Sequence, residues 1–162
     1  IVEDHDWGLD HGAWTVVRHM YPEANIPILQ LSIDHSKDEN YHFELAKELM
    51  ELRNKGVLII GSGNMVHNLR MLAWDKIEEP GYGYDWALEM NDKFKKYISE
   101  GDFSRLINYK NLGAEAKLAI PTPEHYIPLL YTLGLKAKNE KLSFFNDKAV
   151  AGSLTMTSVK IG

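Results

Sequence analysis

Val57-Leu58-Ile59-Ile60-Gly61-Ser62-Gly63-Asn64-Met65-Val66-His67-Asn68 is the stretch whose reading decides the fold. Four aliphatic residues run straight into a glycine turn. The run is too short for a helix and rich in β-branched residues, so it reads as a strand. Upstream, Ile26-Pro27-Ile28-Leu29-Gln30-Leu31-Ser32-Ile33 has the same character, with Pro27 at its start. Near-continuous aliphatic strands suit burial on both faces. Between the two runs, residues 38–54 place Phe43, Ala46, Leu49 and Met50 at helical spacing, with Glu44, Lys47, Glu48 and Glu51 opposite. Ser36 or Asp38 can cap this helix, and Gly56 ends it. Strand, helix, strand, glycine turn predicts an α/β fold, three-layer α/β/α with a mostly parallel or mixed sheet. Ligands of such sheets bind beyond the carboxyl ends of the strands, where residues 61–67 lie.

The rest of the chain follows the same logic. Residues 13–20 read as a short helix closed at Tyr21-Pro22. Residues 68–74 continue as helix after the glycine turn, and residues 86–99 form an amphipathic helix with Trp86, Met90, Phe94, Tyr97 and Ile98 inward. Shorter helices are expected over 103–108 and 112–118. Thr122-Pro123-Glu124-His125 reads as a helix start, with Thr122 as cap and Pro123 in the first position. Residues 142–145 and 151–161 alternate as two strands. No repeat or interdomain linker interrupts the chain, so residues 1–162 read as a single domain.

Composition excludes several function classes. The 162 residues carry 44% hydrophobic and 25% charged residues, the balance of an ordinary globular protein with a real core. A net charge of −5 without a basic run makes nucleic acid a poor partner. There is no cysteine, so a metal would have to be held by His, Asp or Glu. No apolar run reaches the roughly 20 residues that span a bilayer, and no secretory pattern opens the chain. A cytoplasmic enzyme or binding protein is the expectation.

Three histidines stand at positions of the kind that sites use. His11 lies in Gly8-Leu9-Asp10-His11-Gly12-Ala13-Trp14, His67 follows a strand and a glycine turn, and His125 is held between two prolines. Imidazole is the usual acid or base near neutral pH and a common ligand of iron and zinc. None of the three has a close spacing such as His-x-x-x-His. For Asp10 and His11 two readings stand: a helix cap with a satisfied partner, or a pair facing a cavity with Trp14 as its wall. His42 is read as structural or at a rim, and His19 and His35 as solvent-facing. Gly61-Ser62-Gly63-Asn64-Met65-Val66 begins like a dinucleotide loop but lacks the third glycine, and neither a Walker lysine nor a Gly-x-Ser-x-Gly elbow is present.

Four ordered segments carry a family resemblance: Leu9-Asp10-His11-Gly12-Ala13-Trp14, Pro27-Ile28-Leu29-Gln30-Leu31-Ser32-Ile33, Gly61-Ser62-Gly63-Asn64-Met65-Val66-His67-Asn68-Leu69 and Thr122-Pro123-Glu124-His125-Tyr126-Ile127-Pro128-Leu129. Together they resemble the LigB-like class III extradiol ring-cleavage dioxygenases, in the 4,5-DOPA extradiol dioxygenase branch. The resemblance implies a non-haem Fe(II) enzyme that opens a catechol such as DOPA with dioxygen. It implies that His125 is a metal ligand and that His67 is the base for the catechol, near enough to contact the metal. It implies that His11 meets substrate or oxygen, with Asp10 and Trp14 beside it. An all-nitrogen site would also accept zinc. The family has an N-terminal part with two further metal-binding histidines, and His5, His19, His35 and His42 match neither. The expectation is therefore the C-terminal portion of a longer polypeptide, starting at Ile1 without a methionine, with weak or no iron binding and turnover alone. The alternatives are a zinc-binding or inactive relative that holds aromatic ligands, and a nucleotide-binding α/β domain built on Gly61 and Gly63.

Overall fold

Two helices, residues 39–48 and 127–134, form the central packing of the larger part of the chain in a computed structural model that describes residues 2–162. Ile1 lies outside the described residues. The chain divides into two units, one running through residue 34 and the other His35–Gly162.

The first unit holds α1, His11–Met20. Asp10 is its N-cap: the carboxylate accepts the Ala13 N–H at 2.8 Å and the Gln30 side-chain amide at 2.5 Å. Gln30 returns the contact by accepting the Asp10 N–H at 2.9 Å. The capping reading of Asp10 is thus the one its hydrogen bonds describe. Residues 26–33, expected as a strand, are irregular chain without strand pairing, and Leu29 is 98% exposed.

The second unit carries the remaining elements. These are α2 (Glu39–Glu48), α3 (Met50–Asn54), α4 (Asp85–Glu100), α5 (Phe103–Ile107), α6 (Ala114–Ala119) and α7 (Ile127–Gly134), then β1 (Leu142–Phe145), β2 (Ala149–Val150), β3 (Leu154–Thr155) and β4 (Ser158–Ile161). Asp38 caps α2 by accepting the Tyr41 N–H at 2.8 Å. Gly101, at φ +71, closes α4 in the left-handed conformation that glycine adopts without cost. Met90, Phe94 and Ile98 bury one face of α4, and Tyr126, Leu130 and Leu133 meet the same core. The buried Tyr126 hydroxyl donates to the Leu106 carbonyl at 3.0 Å, which satisfies both groups. Gly134 lets α7 approach α2, because a Cβ there would stand 2.7 Å from the Phe43 carbonyl oxygen.

The sheet differs from the expectation. Among the described residues the strands make two antiparallel pairs, β1 with β4 and β2 with β3, and no parallel or mixed sheet. Residues 57–60 are irregular chain without strand pairing, with Leu58 60% exposed and Val57 and Ile60 also open. A strand is defined by the neighbour that takes its N–H and C=O groups. Among the described residues nothing does so for Leu58, Ile59 or Ile60. The helix expected over 68–74 is replaced by short 3-10 turns at Leu69–Met71 and Trp74–Lys76.

Arg53 ties the end of α3 to the turn after α7. Its guanidinium donates to both Glu140 carboxylate oxygens, at 2.9 and 2.5 Å, and to the Leu135 carbonyl at 2.6 Å. The Arg53 hydrogen bond, helped by the Ala137 N–H, pulls the Glu140 pKa down to about 2. A carboxylate whose folded pKa is depressed stabilises the fold above its unfolded pKa and loses that contribution as the pH falls. Glu140→Gln should therefore cost about 2 kcal/mol at neutral pH. Urea melts at stepped pH should show the gap from wild type narrowing between about pH 4.5 and about pH 2. A gap independent of pH would sink this account.

Candidate functional site

His67 reaches its place through a short backbone path. Val66 is fully buried and its carbonyl accepts the Thr155 N–H at 3.1 Å. The His67 N–H donates to the Ala119 carbonyl at 2.8 Å, and His67 bridges antiparallel to Leu154. Asn68 is buried beside it, and its amide donates to the Leu118 carbonyl at 2.8 Å while its own carbonyl accepts the Ser153 hydroxyl at 2.7 Å. The His67 main chain is thus pinned on both sides.

His125 closes a 3-10 turn, Pro123–His125, immediately before α7. Its carbonyl accepts the Asn64 N–H at 2.8 Å. Gly63 makes that approach possible: a Cβ on Gly63 would stand 2.1 Å from the His125 carbonyl oxygen. Gly61 does the same against the Pro128 carbonyl, at 2.4 Å. The two glycines therefore seat this irregular segment on His125 and the start of α7 and do not open a cradle for phosphate. That use of the glycines removes the support on which the nucleotide-binding alternative stood.

The two imidazoles stack, with centroids 3.8 Å apart and planes 10° from parallel. The His67 pKa is lowered, first by burial and then by the neighbouring His125, against a smaller opposing pull from Glu124. His67 is accordingly uncharged near pH 7. The Glu124 carboxylate accepts the Thr122 hydroxyl at 2.6 Å and stands 3.3 Å from His125 Nδ1. Burial raises the Glu124 pKa, but the bonds from Thr122, the backbone and His125 outweigh it, and the net shift is downward.

Thr122, read from the sequence as a helix cap, makes no capping bond and holds Glu124 instead. Glu124 was missed as a partner of His125. The spacing Thr-x-Glu-His was the available signal, with two side chains two residues apart folding back over a proline turn. His67 and His125 are brought together within the second unit. His11, Asp10 and Trp14 belong to the first unit, where His11 is exposed at the first turn of α1, Asp10 caps it and Trp14 is 44% exposed. His42 is fully buried, with Nδ1 3.0 Å from the Tyr131 hydroxyl, and is a packing residue. His19 and His35 are exposed.

The fit of a metal can be judged from the donor set. Imidazole suits Fe(II) and zinc. Lone pairs lie in the ring plane, however, and parallel rings 3.8 Å apart direct theirs into separate planes. The stack thus offers one ion a single in-plane nitrogen. No group of three His, Cys, Asp or Glu side chains that could hold a metal exists among the described residues. These residues do not by themselves make a metal site.

Within the second unit the site is a pair of stacked imidazoles, with His67 following the segment 57–66 and His125 preceding α7. The comparisons then give the family. The model for the catalytic LigB subunit of aromatic ring-opening dioxygenase matches residues 1–158, and the chain belongs to this family. It is 43% identical over 159 residues to a 4,5-DOPA dioxygenase extradiol of Escherichia coli (strain K12), covering 96% of this chain and 57% of that protein. It is 40% identical over 134 residues to the Mirabilis jalapa protein of the same name, covering 83% and 49%. A solved structure of an uncharacterized Escherichia coli K12 protein superposes with a TM-score of 0.89 at 40% identity, covering 99% of this chain and 65% of that one. That likeness supports the LigB-like α/β fold class. The chain spans about half the length of the curated relatives it matches.

Proposed function

We propose that this chain is the proton-handling part of an extradiol dioxygenase that opens a catechol such as DOPA. The observation that carries the reading is the His67–His125 stack with His67 held neutral. A catechol must lose a proton before its ring becomes electron-rich enough for oxygen to attack. His67 is the acceptor: it is uncharged near pH 7 and half-buried, so it takes the proton from a catechol hydroxyl without first shedding one of its own. The charge that then develops on His67 faces His125 across the stack and is opposed by the Glu124 carboxylate. His11 completes the reading as the residue that meets substrate or oxygen, with Asp10 orienting it through the cap of α1 and Trp14 as an aromatic wall.

Dioxygen belongs to this proposal through the dioxygenase names of the family and of the relatives, and Fe(II) only through the resemblance drawn from the sequence. His125 is the ligand this chain would contribute; the lesser ligand role expected of His67 does not fit the parallel stack, which offers one ion a single in-plane nitrogen. The remaining ligands are assigned to the further N-terminal part of the protein that the resemblance implies. No step is routed through the metal, since the residues here do not assemble its site. A cytoplasmic location is part of the same reading, and no helix among the described residues is long and apolar enough to cross a membrane.

The test is oxygen uptake. The longer polypeptide, with the N-terminal part to which the remaining ligands are assigned, is loaded anaerobically with Fe(II), then given DOPA or a simpler catechol in air. Uptake with a yellow ring-opened product supports the proposal, and silence across a catechol panel overturns it. A second reading, a relative that binds aromatic ligands without turnover, draws on the lack of a three-ligand group among the described residues. It predicts thermal stabilisation by catechol with no oxygen consumed.

A further inference from the structure

The backbone leaves His125 one freedom that matters. Its carbonyl is fixed by Asn64 and crowded by Gly63, the Tyr126 N–H closes the turn on the Pro123 carbonyl at 2.9 Å, and its ring plane is set by the stack on His67. What remains open is which ring nitrogen carries the proton, a choice made by the partner of the other nitrogen. Among the described residues one carboxylate is placed to make it. Glu124 Oε1 faces Nδ1 at 3.3 Å, and the same oxygen is anchored by the Thr122 hydroxyl at 2.6 Å. Thr122 is in extended backbone (φ −141, ψ 144) ahead of Pro123, so its hydroxyl is presented by a stretch with little room to rotate.

We propose that Glu124, anchored by Thr122, is a positioning residue that holds His125 as the Nδ1–H tautomer and keeps the Nε2 lone pair free. Glu124 acts through His125 and does not itself touch the reacting atoms. The effect is one of orientation, not of fold stability, because both side chains are about 40% exposed and such a pair adds little to folding. Its mechanistic consequence rests on the function proposed above; the tautomer does not.

The experiment reads the tautomer directly. Ring nitrogen NMR on the full chain at about pH 8, above the ordinary histidine pKa of about 6.5, reports which nitrogen of His125 is protonated. Wild type should show Nδ1–H. Glu124→Ala should move His125 to predominantly Nε2–H, and Glu124→Gln, whose amide oxygen still accepts, should retain Nδ1–H in larger part. Thr122→Val should fall between wild type and Glu124→Ala. Amide spectra and the contact between the His67 and His125 rings confirm that each variant keeps the site's geometry. A wild-type Nε2–H tautomer, or an unchanged tautomer in Glu124→Ala, overturns the proposal. In a preparation that consumes catechol, Glu124→Ala should lower kcat about tenfold or more with KM little changed. A tautomer that moves while turnover stays constant counts against the catalytic reading of the site and leaves the positioning role intact.

Discussion

Gly63→Ala should lower the melting temperature and part the two site histidines in a single step. The added methyl would lie 2.1 Å from the His125 carbonyl oxygen and 3.1 Å from its carbonyl carbon. Both atoms are backbone, so no rotamer change relieves the clash. The segment must lift off the start of α7, and the Asn64 N–H bond to that carbonyl, 2.8 Å long, goes with it. A forced backbone shift of this kind costs about 3 kcal/mol. For a chain of this size that corresponds to roughly 6–12 °C in melting temperature. Gly8→Ala is the control, because a Cβ there meets nothing within 4 Å and its backbone needs no glycine. Thermal unfolding followed by circular dichroism measures the first effect, and loss of the ring contact between His67 and His125 in NMR measures the second. If Gly63→Ala melts with Gly8→Ala and the rings stay stacked, the segment is more compliant than this packing allows.

The same residue shows what the sequence could and could not disclose. Gly61 and Gly63 announced a turn at the end of an aliphatic run; residues 61–64 are irregular chain instead, and the chain bends only at Met65 and Val66. Their purpose was not legible, since the carbonyls they approach lie 62 to 67 residues away along the chain. Local signals translated in part: Asp38 caps α2 and residues 142–145 form β1, but the run expected as one strand over 151–161 breaks into β3, paired with β2, and β4, paired with β1, with Ala151 and Gly152 at positive φ ahead of them. The aliphatic runs at 26–33 and 57–60 did not become strands. Their composition records an environment in which both faces are covered, and a parallel strand also needs a neighbour along each edge. Neither requirement is met for Leu29 or Leu58 among the described residues. Of the site, His67 and His125 were each visible as a histidine at a special position. Their stacking and the turn of Glu124 onto His125 were not, because side-chain rotation leaves no periodicity to read.

His67 itself carries the largest functional effect. If it is the base that takes the catechol proton, His67→Ala should reduce catechol-dependent oxygen uptake by about 10²- to 10⁴-fold, the usual contribution of a positioned general base. His67→Gln keeps some of the shape of the ring but cannot accept the proton, so it should be nearly as impaired. The pH dependence separates this role from a purely structural one. Burial and His125 hold the His67 pKa below its ordinary value of 6.5, so turnover should persist under slight acidity and fall only as the pH drops through that lowered pKa. Stability carries the matching sign. Between the lowered pKa and 6.5 the unfolded chain binds the proton and the folded one does not, so stability declines as the pH falls through this window. In His67→Gln that share of the decline should vanish. An acid limb of activity at or above 6.5, or a stability profile unchanged in His67→Gln, would place the proton on another group and leave His67 as a stacking partner of His125.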